Sequence, residues 1–349
     1  MVVFVAISSV GLTFTLFTTS AVTAFAKTIP AKPVLTEYPT TDQPWGVSLD
    51  GHGHVWVAEP NCDASPTCGT PNPGLIARYN TADPSAGEQD YLPPNEYNPV
   101  FLLQDANHNI WFTDPTHNAI GELVPKTNIW TEYTAPTTNA APYDLVMDKN
   151  GNIWFTEILA SKIGFFNPST HAFVETPTPS AKSSPYGITL NSRGNIWFAE
   201  NGLPQIANFT PTSNGSGITI KEFAIDSGSG APTPHLITTD AKDNLWYSEG
   251  FAGMVGEYNP VTKSHTDFNV SVGVKQTHIS GIGVTSTGQV WFNDSLSARI
   301  GRLTPSTGKI YIIQLAFLGA HPHDGLAVDP TDNHVWITEQ YGLNLGQIS

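Results

Sequence analysis

From residue 45 onward the chain is written in short apolar runs separated by turns rich in Gly, Asn, Asp and Pro. Runs of this length, rich in Val, Ile, Phe, Tyr and Trp and closed by such turns, predict strands joined as hairpins. The strongest pattern is a repeat marked by Trp56, Trp111, Trp154, Trp197, Trp246, Trp291 and Trp336, which recur every 43 to 55 residues. Around each marker the same text returns, as in Asn109-Ile-Trp-Phe-Thr-Asp114, Asn152-Ile-Trp-Phe-Thr-Glu157 and Asn195-Ile-Trp-Phe-Ala-Glu200. An apolar run and a turn precede each copy, and two further runs follow it. The third run carries Ile-Gly or a relative (Ile120-Gly121, Ile163-Gly164, Val255-Gly256, Ile300-Gly301), and the fourth reads Thr131-Glu-Tyr133 or Lys221-Glu-Phe223. Four strands in a repeat of this size are the signature of a propeller blade, so the fold class is all-β, a seven-bladed β-propeller.

A ring of blades has to close, because an open end leaves unpaired strand edges. The seventh repeat stops after three strands, at Ser349, while an orphan fourth strand, Leu35-Thr-Glu-Tyr38, stands alone before the first repeat. The last blade is therefore expected to be closed by an N-terminal strand, with residues 27–349 forming one propeller domain.

The repeat also suggests where a site would lie. The start of a blade's first strand and the end of its second share one edge. Trp45, Val100, Tyr143, Tyr186 and His235 are therefore expected to share one face with Glu59, Asp114, Glu157, Glu200, Glu249, Asp294 and Glu339. Seven carboxylates facing one pore would repel strongly, so most are assigned to pairing with loop backbone. Histidine departs from the repeat: the last three blades open with Pro234-His235, with His278, and with His321-Pro322-His323-Asp324. Imidazole can act as a base near neutral pH or bind a metal, which makes this side of the ring the candidate site. His117 and the remaining histidines fall in turns or strand ends and are set aside. The Asp148 to Asn152 stretch lacks the bidentate Glu of a calcium loop and reads as a hairpin turn.

Composition narrows the partners. With 15 Lys and Arg against 30 Asp and Glu the formal charge is -15, and there is no basic stripe for nucleic acid. Residues 1–26 are uncharged and end in Ala24-Phe25-Ala26, which predicts a secretory signal peptide, a secreted extracellular protein, and no membrane association once it is cleaved; the alternative is that the stretch stays as an N-terminal membrane anchor. Export would suit a disulfide between Cys62 and Cys68 and glycosylation at Asn208, Asn214 or Asn269, with Asn293 the poorest of the four sequons because it lies in a predicted strand.

The repeated Pro-Tyr-Gly-Ile-Thr, Asn-Ile-Trp-Phe-Thr-Glu and Lys-Ile-Gly phrases resemble the virginiamycin B lyase (streptogramin lyase) family over residues 35–349, and more loosely the NHL-type propellers. The resemblance implies a seven-bladed propeller that opens a cyclic depsipeptide at its ester by elimination, using magnesium, histidine and glutamate. His323 matches a family histidine of the seventh blade, with His321 where a Glu is expected. Glu339 falls one place short of a later family acid. In the sixth blade Ser280 stands at the histidine spacing, with His278 two residues earlier, while Pro234-His235 lies one blade early. One extra residue near the start of blade seven leaves either His323 or Asp324 at the key position. On this basis the expected catalytic residues are His323 and His235, the expected metal ligands are Glu339 and Asp294, and the metal is a divalent ion, magnesium or alternatively calcium. The expected partner is a small-molecule or cyclic peptide ligand at the mouth of a monomer. A non-catalytic binding propeller and a metal-dependent lactone hydrolase are the competing readings.

Overall fold

A computed structural model describes residues 32–64, 66–69, 72–225 and 233–349; the signal-peptide expectation for residues 1–26 lies outside the described residues. The strands form seven four-stranded antiparallel sheets, each running in sequence order from the pore outward except at the closure. Blade three is representative, with strands Pro142–Met147, Ile153–Glu157, Lys162–Asn167 and Ala172–Pro177. The ring closes as expected: Leu35–Pro39 is the outer strand beside Asn344–Ile348, in the register Leu35 opposite Ile348 and Tyr38 opposite Leu345. Among the described residues no helix is long and apolar enough to cross a membrane.

The repeated residues now have physical roles. The marker tryptophans are buried, and in four blades the indole Nε1–H donates to an aspartate six residues earlier in the hairpin turn, as Trp154 does to Asp148 at 3.0 Å. That carboxylate also accepts the backbone N–H groups of Asn150 and Asn152, so the stretch is an Asx-type turn, as its sequence predicts. The glycine of the third strand makes room for the aromatic ring of the second: a Cβ at Gly121, Gly164, Gly256 or Gly301 would collide with Phe112, Phe155, Tyr247 or Phe292. Neighbouring blades are tied at the pore by side chains of the second strand. Thr156 donates to the carbonyl of Tyr186 at 2.7 Å, and Thr338 to that of Trp45 at 2.6 Å. In blade six Asn293 takes this part, donating to the carbonyl of His323 at 2.9 Å, and its complete burial leaves no room for a glycan. Cys62 and Cys68 form the expected disulfide, with their Cα atoms 5.6 Å apart, in the loop that follows the second strand of blade one.

Candidate functional site

In blades three to six the inner strand begins with a bulge. In blade three Pro142 lies opposite Glu157, yet Leu145 lies opposite Phe155, so one extra residue sits on the inner strand between them. The same shift occurs in blades four, five and six. It turns Tyr143, Tyr186 and His235 toward the pore, while the acid at the end of the second strand stays between the strands of its own blade. The expectation that acids and pore residues share a face is therefore corrected: they share an edge, but the cavity at this mouth is lined by none of the seven acids.

The acids instead meet a second set on the outer strands. Glu157 lies beside Glu175, Glu249 beside Asp267, Glu339 beside Glu37 and Asp114 beside Glu132. Burial and then the neighbouring carboxylate push Glu157, Glu249 and Glu339 up to about 8. A protonated Glu157 donates to Glu175, which is held ionised by Thr137 and by Lys162, 2.9 Å away, although its own burial opposes this. Three of the seven acids pair with loop backbone, fewer than the expected majority: Glu59 accepts Asp42 N–H at 2.6 Å, Asp114 accepts Asn98 N–H at 2.6 Å, and Asp294 accepts His278 N–H at 3.0 Å. Blade six has Ile312 at the outer position, and there Arg299 neutralises Asp294 at 2.8 Å. Asp294 is thus a buried ion pair, with the positive charge supplied by the protein.

The histidines converge. His235, His278, His321 and His323 all line one cavity of about 420 Å³, joined by Tyr186 and by the apolar side chains of Ile158 and Phe251. Asp63, from the disulfide loop, is the acid on its wall. His323 Nδ1 lies 3.0 Å from Asp324 Oδ1, and its ring packs 4.8 Å from Trp45 and 5.3 Å from His278. Asp324 is 1% exposed and also accepts the hydroxyls of Tyr143 and Tyr186, each at 2.8 Å. Burial alone would raise its pKa, but His323, His235 and the Tyr186 hydroxyl hold it well below the usual carboxylate range. The ambiguity at the start of blade seven is resolved by backbone bonding. Thr338 N–H donates to Gly325 O as Ala58 N–H does to Gly46 O, so Asp324 occupies the position of Trp45, and His323 the place of the preceding proline. The sequence alone leaves Asp324 as one of two alternatives and gives no sign of its link to Tyr143 and Tyr186. Its one available signal was the glycine that follows it.

His235 and His278 face each other with Nε2 atoms 3.0 Å apart. Burial holds both below the ordinary imidazole range, His278 down to about 3, so both are neutral at pH 7. On blade two, Asp114, His117 and Glu132 bring three potential ligand atoms within 4.8 Å of one another. His117, set aside on sequence as a turn residue, does have acids beside it, because the outer-strand acid Glu132 lies against Asp114.

The Virginiamycin B lyase family matches residues 72–278 and, overlapping them, 177–349. The chain belongs to that family. The solved virginiamycin B lyase from Staphylococcus aureus is 27% identical, covering 91% of this chain and 99% of that one, with a TM-score of 0.75. A catalytically inactive histidine-to-alanine form of the Staphylococcus aureus enzyme with quinupristin is 26% identical over 91% and 99% of the two chains, TM-score 0.77. The extracellular domain of a hybrid two-component system from B. thetaiotaomicron shares the fold alone, at 16% identity over 89% of this chain and 41% of that one, TM-score 0.64. No match was found among curated protein sequences.

Proposed function

We propose that this protein is a secreted, monomeric lyase that opens a cyclic ester or lactone by elimination in the histidine-lined mouth cavity. The observation that carries this reading is the buried His323–Asp324 pair on the wall of a histidine-lined cavity large enough for a small ligand. Asp324 Oδ1, 3.0 Å from His323 Nδ1, stands where it can orient the ring, leaving Nε2 to act as the base. The base takes the proton from the carbon next to a carbonyl. A carbon–carbon double bond forms as the ester carbon–oxygen bond breaks, and the electron pair leaves on the carboxylate. His235, neutral because it is buried, is the second base candidate and supports the same cavity wall. The relative solved with quinupristin supports a small-molecule ligand at the propeller.

The family resemblance adds a divalent cation, and magnesium, or calcium, requires several ionised oxygen ligands with room for water. Glu339 does not fit that requirement: it is 1% exposed, protonated up to about pH 8 by burial and Glu37, and faces away from the cavity. Asp294 already has Arg299. Asp114, His117 and Glu132 offer a mixed donor set, but burial and the Asp114 carboxylate push Glu132 up to about 9, and the cluster lies on blade two, outside the lining of the cavity, so no step is routed through a metal there. With His321 where the family has Glu and Ser280 where it has His, the streptogramin substrate is expected to be turned over poorly, and a different ester or lactone to be preferred. Those departures also favour a second reading, a binding propeller without turnover. Ligand screening with His323→Ala separates the two: loss of turnover with binding retained supports catalysis, whereas binding without any turnover by the parent protein supports the second.

A further inference from the structure

The mouth cavity is electrically one-sided. Its wall carries no Lys or Arg, and its one carboxylate is Asp63. The ionised Asp324 stands directly behind His323. His235, His278 and His321 are held below the ordinary imidazole range, by burial first, and are neutral at pH 7. The cavity thus presents two carboxylates with no Lys or Arg to offset them, in a chain whose formal charge is already -15. A concave wall of low dielectric concentrates such a field.

The position of Asp63 is held on several sides. Its neighbours Cys62 and Ala64 are buried in the same cluster as the pore residues Trp45 and Tyr143. Besides the disulfide, three bonds tie the loop down. Gln340 Nε2 donates to the carbonyl of Cys62 at 3.4 Å, Cys68 N–H donates to Thr116 Oγ1 at 3.0 Å, and the Tyr341 hydroxyl donates to Asp63 Oδ2 at 3.2 Å. Asp63 has no other hydrogen bond or ion pair among the described residues, so its Oδ1 is open to the cavity side. The Tyr341 ring beside it is 44% exposed and stacks on His321 with centroids 5.0 Å apart. A carboxylate oxygen free to accept, next to an exposed aromatic ring, is a pairing that receives an ammonium group. Blades three and five make the other side of the wall apolar, with Leu159 and Phe251 exposed there.

We infer that the mouth selects ligands bearing a positively charged amine, with Asp63 and Tyr341 receiving the ammonium group and an apolar body lying over Leu159 and Phe251. The inference rests on the mouth cavity being the ligand site, as the elimination reading has it, and is independent of the chemistry done there. It makes the cyclic ester or lactone of that reading a cationic one. Acidic esters are turned away, because a ligand carboxylate would meet Asp63 and Asp324 with no Lys or Arg on the wall to offset them. Asp63 is exposed, so solvent and salt screen the attraction, and a preference of about 5- to 10-fold at low ionic strength is the scale to expect from a screened ion pair with an aromatic contact.

The test uses lactams of one ring skeleton carrying a trimethylammonium, a tert-butyl or a carboxylate substituent, so that binding is read without turnover. Dissociation constants are measured by equilibrium dialysis on the full chain at pH 8 and low ionic strength, with a chelator present. The ammonium probe should bind about 5- to 10-fold tighter than its tert-butyl isostere, and the carboxylate probe should bind weakest. Asp63→Asn keeps an acceptor for Tyr341 and should bring the ammonium and tert-butyl probes within about 2-fold of each other, with the tert-butyl affinity unchanged. Tyr341→Leu should remove part of the preference, and about 0.5 M salt should shrink it. Asp83→Asn, the same charge change at the opposite end of blade one, should alter none of these values. Equal affinity for the probes, tightest binding of the carboxylate, or an ammonium preference that survives Asp63→Asn would overturn the inference while leaving the cavity as the ligand site. Failure of every probe to bind would overturn the inference and the cavity reading together.

Discussion

Replacing Glu157 by Gln should stabilise the protein at neutral pH and flatten part of its pH dependence. Glu157 is fully buried, has no hydrogen-bond donor of its own, and is pushed up to about 8 by burial and by the Glu175 carboxylate. A carboxyl whose folded pKa is raised binds its proton more tightly in the folded state, so stability is greatest below the unfolded value and falls as pH rises toward the folded one. With an ordinary Glu value of 4.5, the loss runs from about pH 4.5 to about pH 8. At about 1.4 kcal/mol for each pH unit, the shift amounts to about 3 kcal/mol by pH 7, an upper figure because local water entry and relaxation reduce it. Gln keeps the donor to Glu175 and removes the titration. Urea midpoints should therefore show Glu157→Gln close to the parent protein at pH 5, and more stable by at least about 1 kcal/mol at pH 8. An identical pH slope in the two proteins, or a variant less stable at pH 8, would refute the carboxyl-pair account.

Deleting residues 27–40 should severely lower the melting temperature, because the seventh blade loses its outer strand and the ring its closure; an unchanged melting temperature would contradict the closure's energetic role. Trp154→Ala removes a fully buried indole and its bond to Asp148 and should cost about 3–5 kcal/mol in chemical denaturation. Paired Cys62→Ser and Cys68→Ser changes open a six-residue step in a loop and should cost about 2 kcal/mol, read from the same denaturation curves. Asp324→Asn should lower kcat more than KM if it positions His323, and should shift the acid limb of the pH profile, which a purely structural role would not do.

The fold was legible because it rests on features that repeat: a marker Trp in every blade, bonded in four of them to its turn aspartate, and in four a glycine beneath the ring of the second strand. Even the closure could be read, since an orphan Leu35 to Tyr38 strand and a three-stranded last repeat can satisfy only each other. The facing of the acids was not legible. Alternation of side chains along paired strands assumes one residue opposite one, and the bulge after Pro142, Pro185 and Pro234 breaks that count just where the site begins. Asp324 was hidden by the same kind of one-residue change, the extra position after Pro322. The outer-strand acids Glu175 and Glu132 were visible in the repeated text, but their partnership with the inner acids depends on how the second and fourth strands approach across the third.

The most direct measurement of the central proposal is the mass of the product formed from cyclic esters and lactones by the purified protein, compared with His323→Ala. Elimination opens the ring without changing its mass, whereas hydrolysis adds one water. The account predicts a ring-opened, unsaturated product of unchanged mass from the parent protein and none from His323→Ala, with equal melting temperatures. A product heavier by one water, or undiminished turnover by His323→Ala, would contradict it.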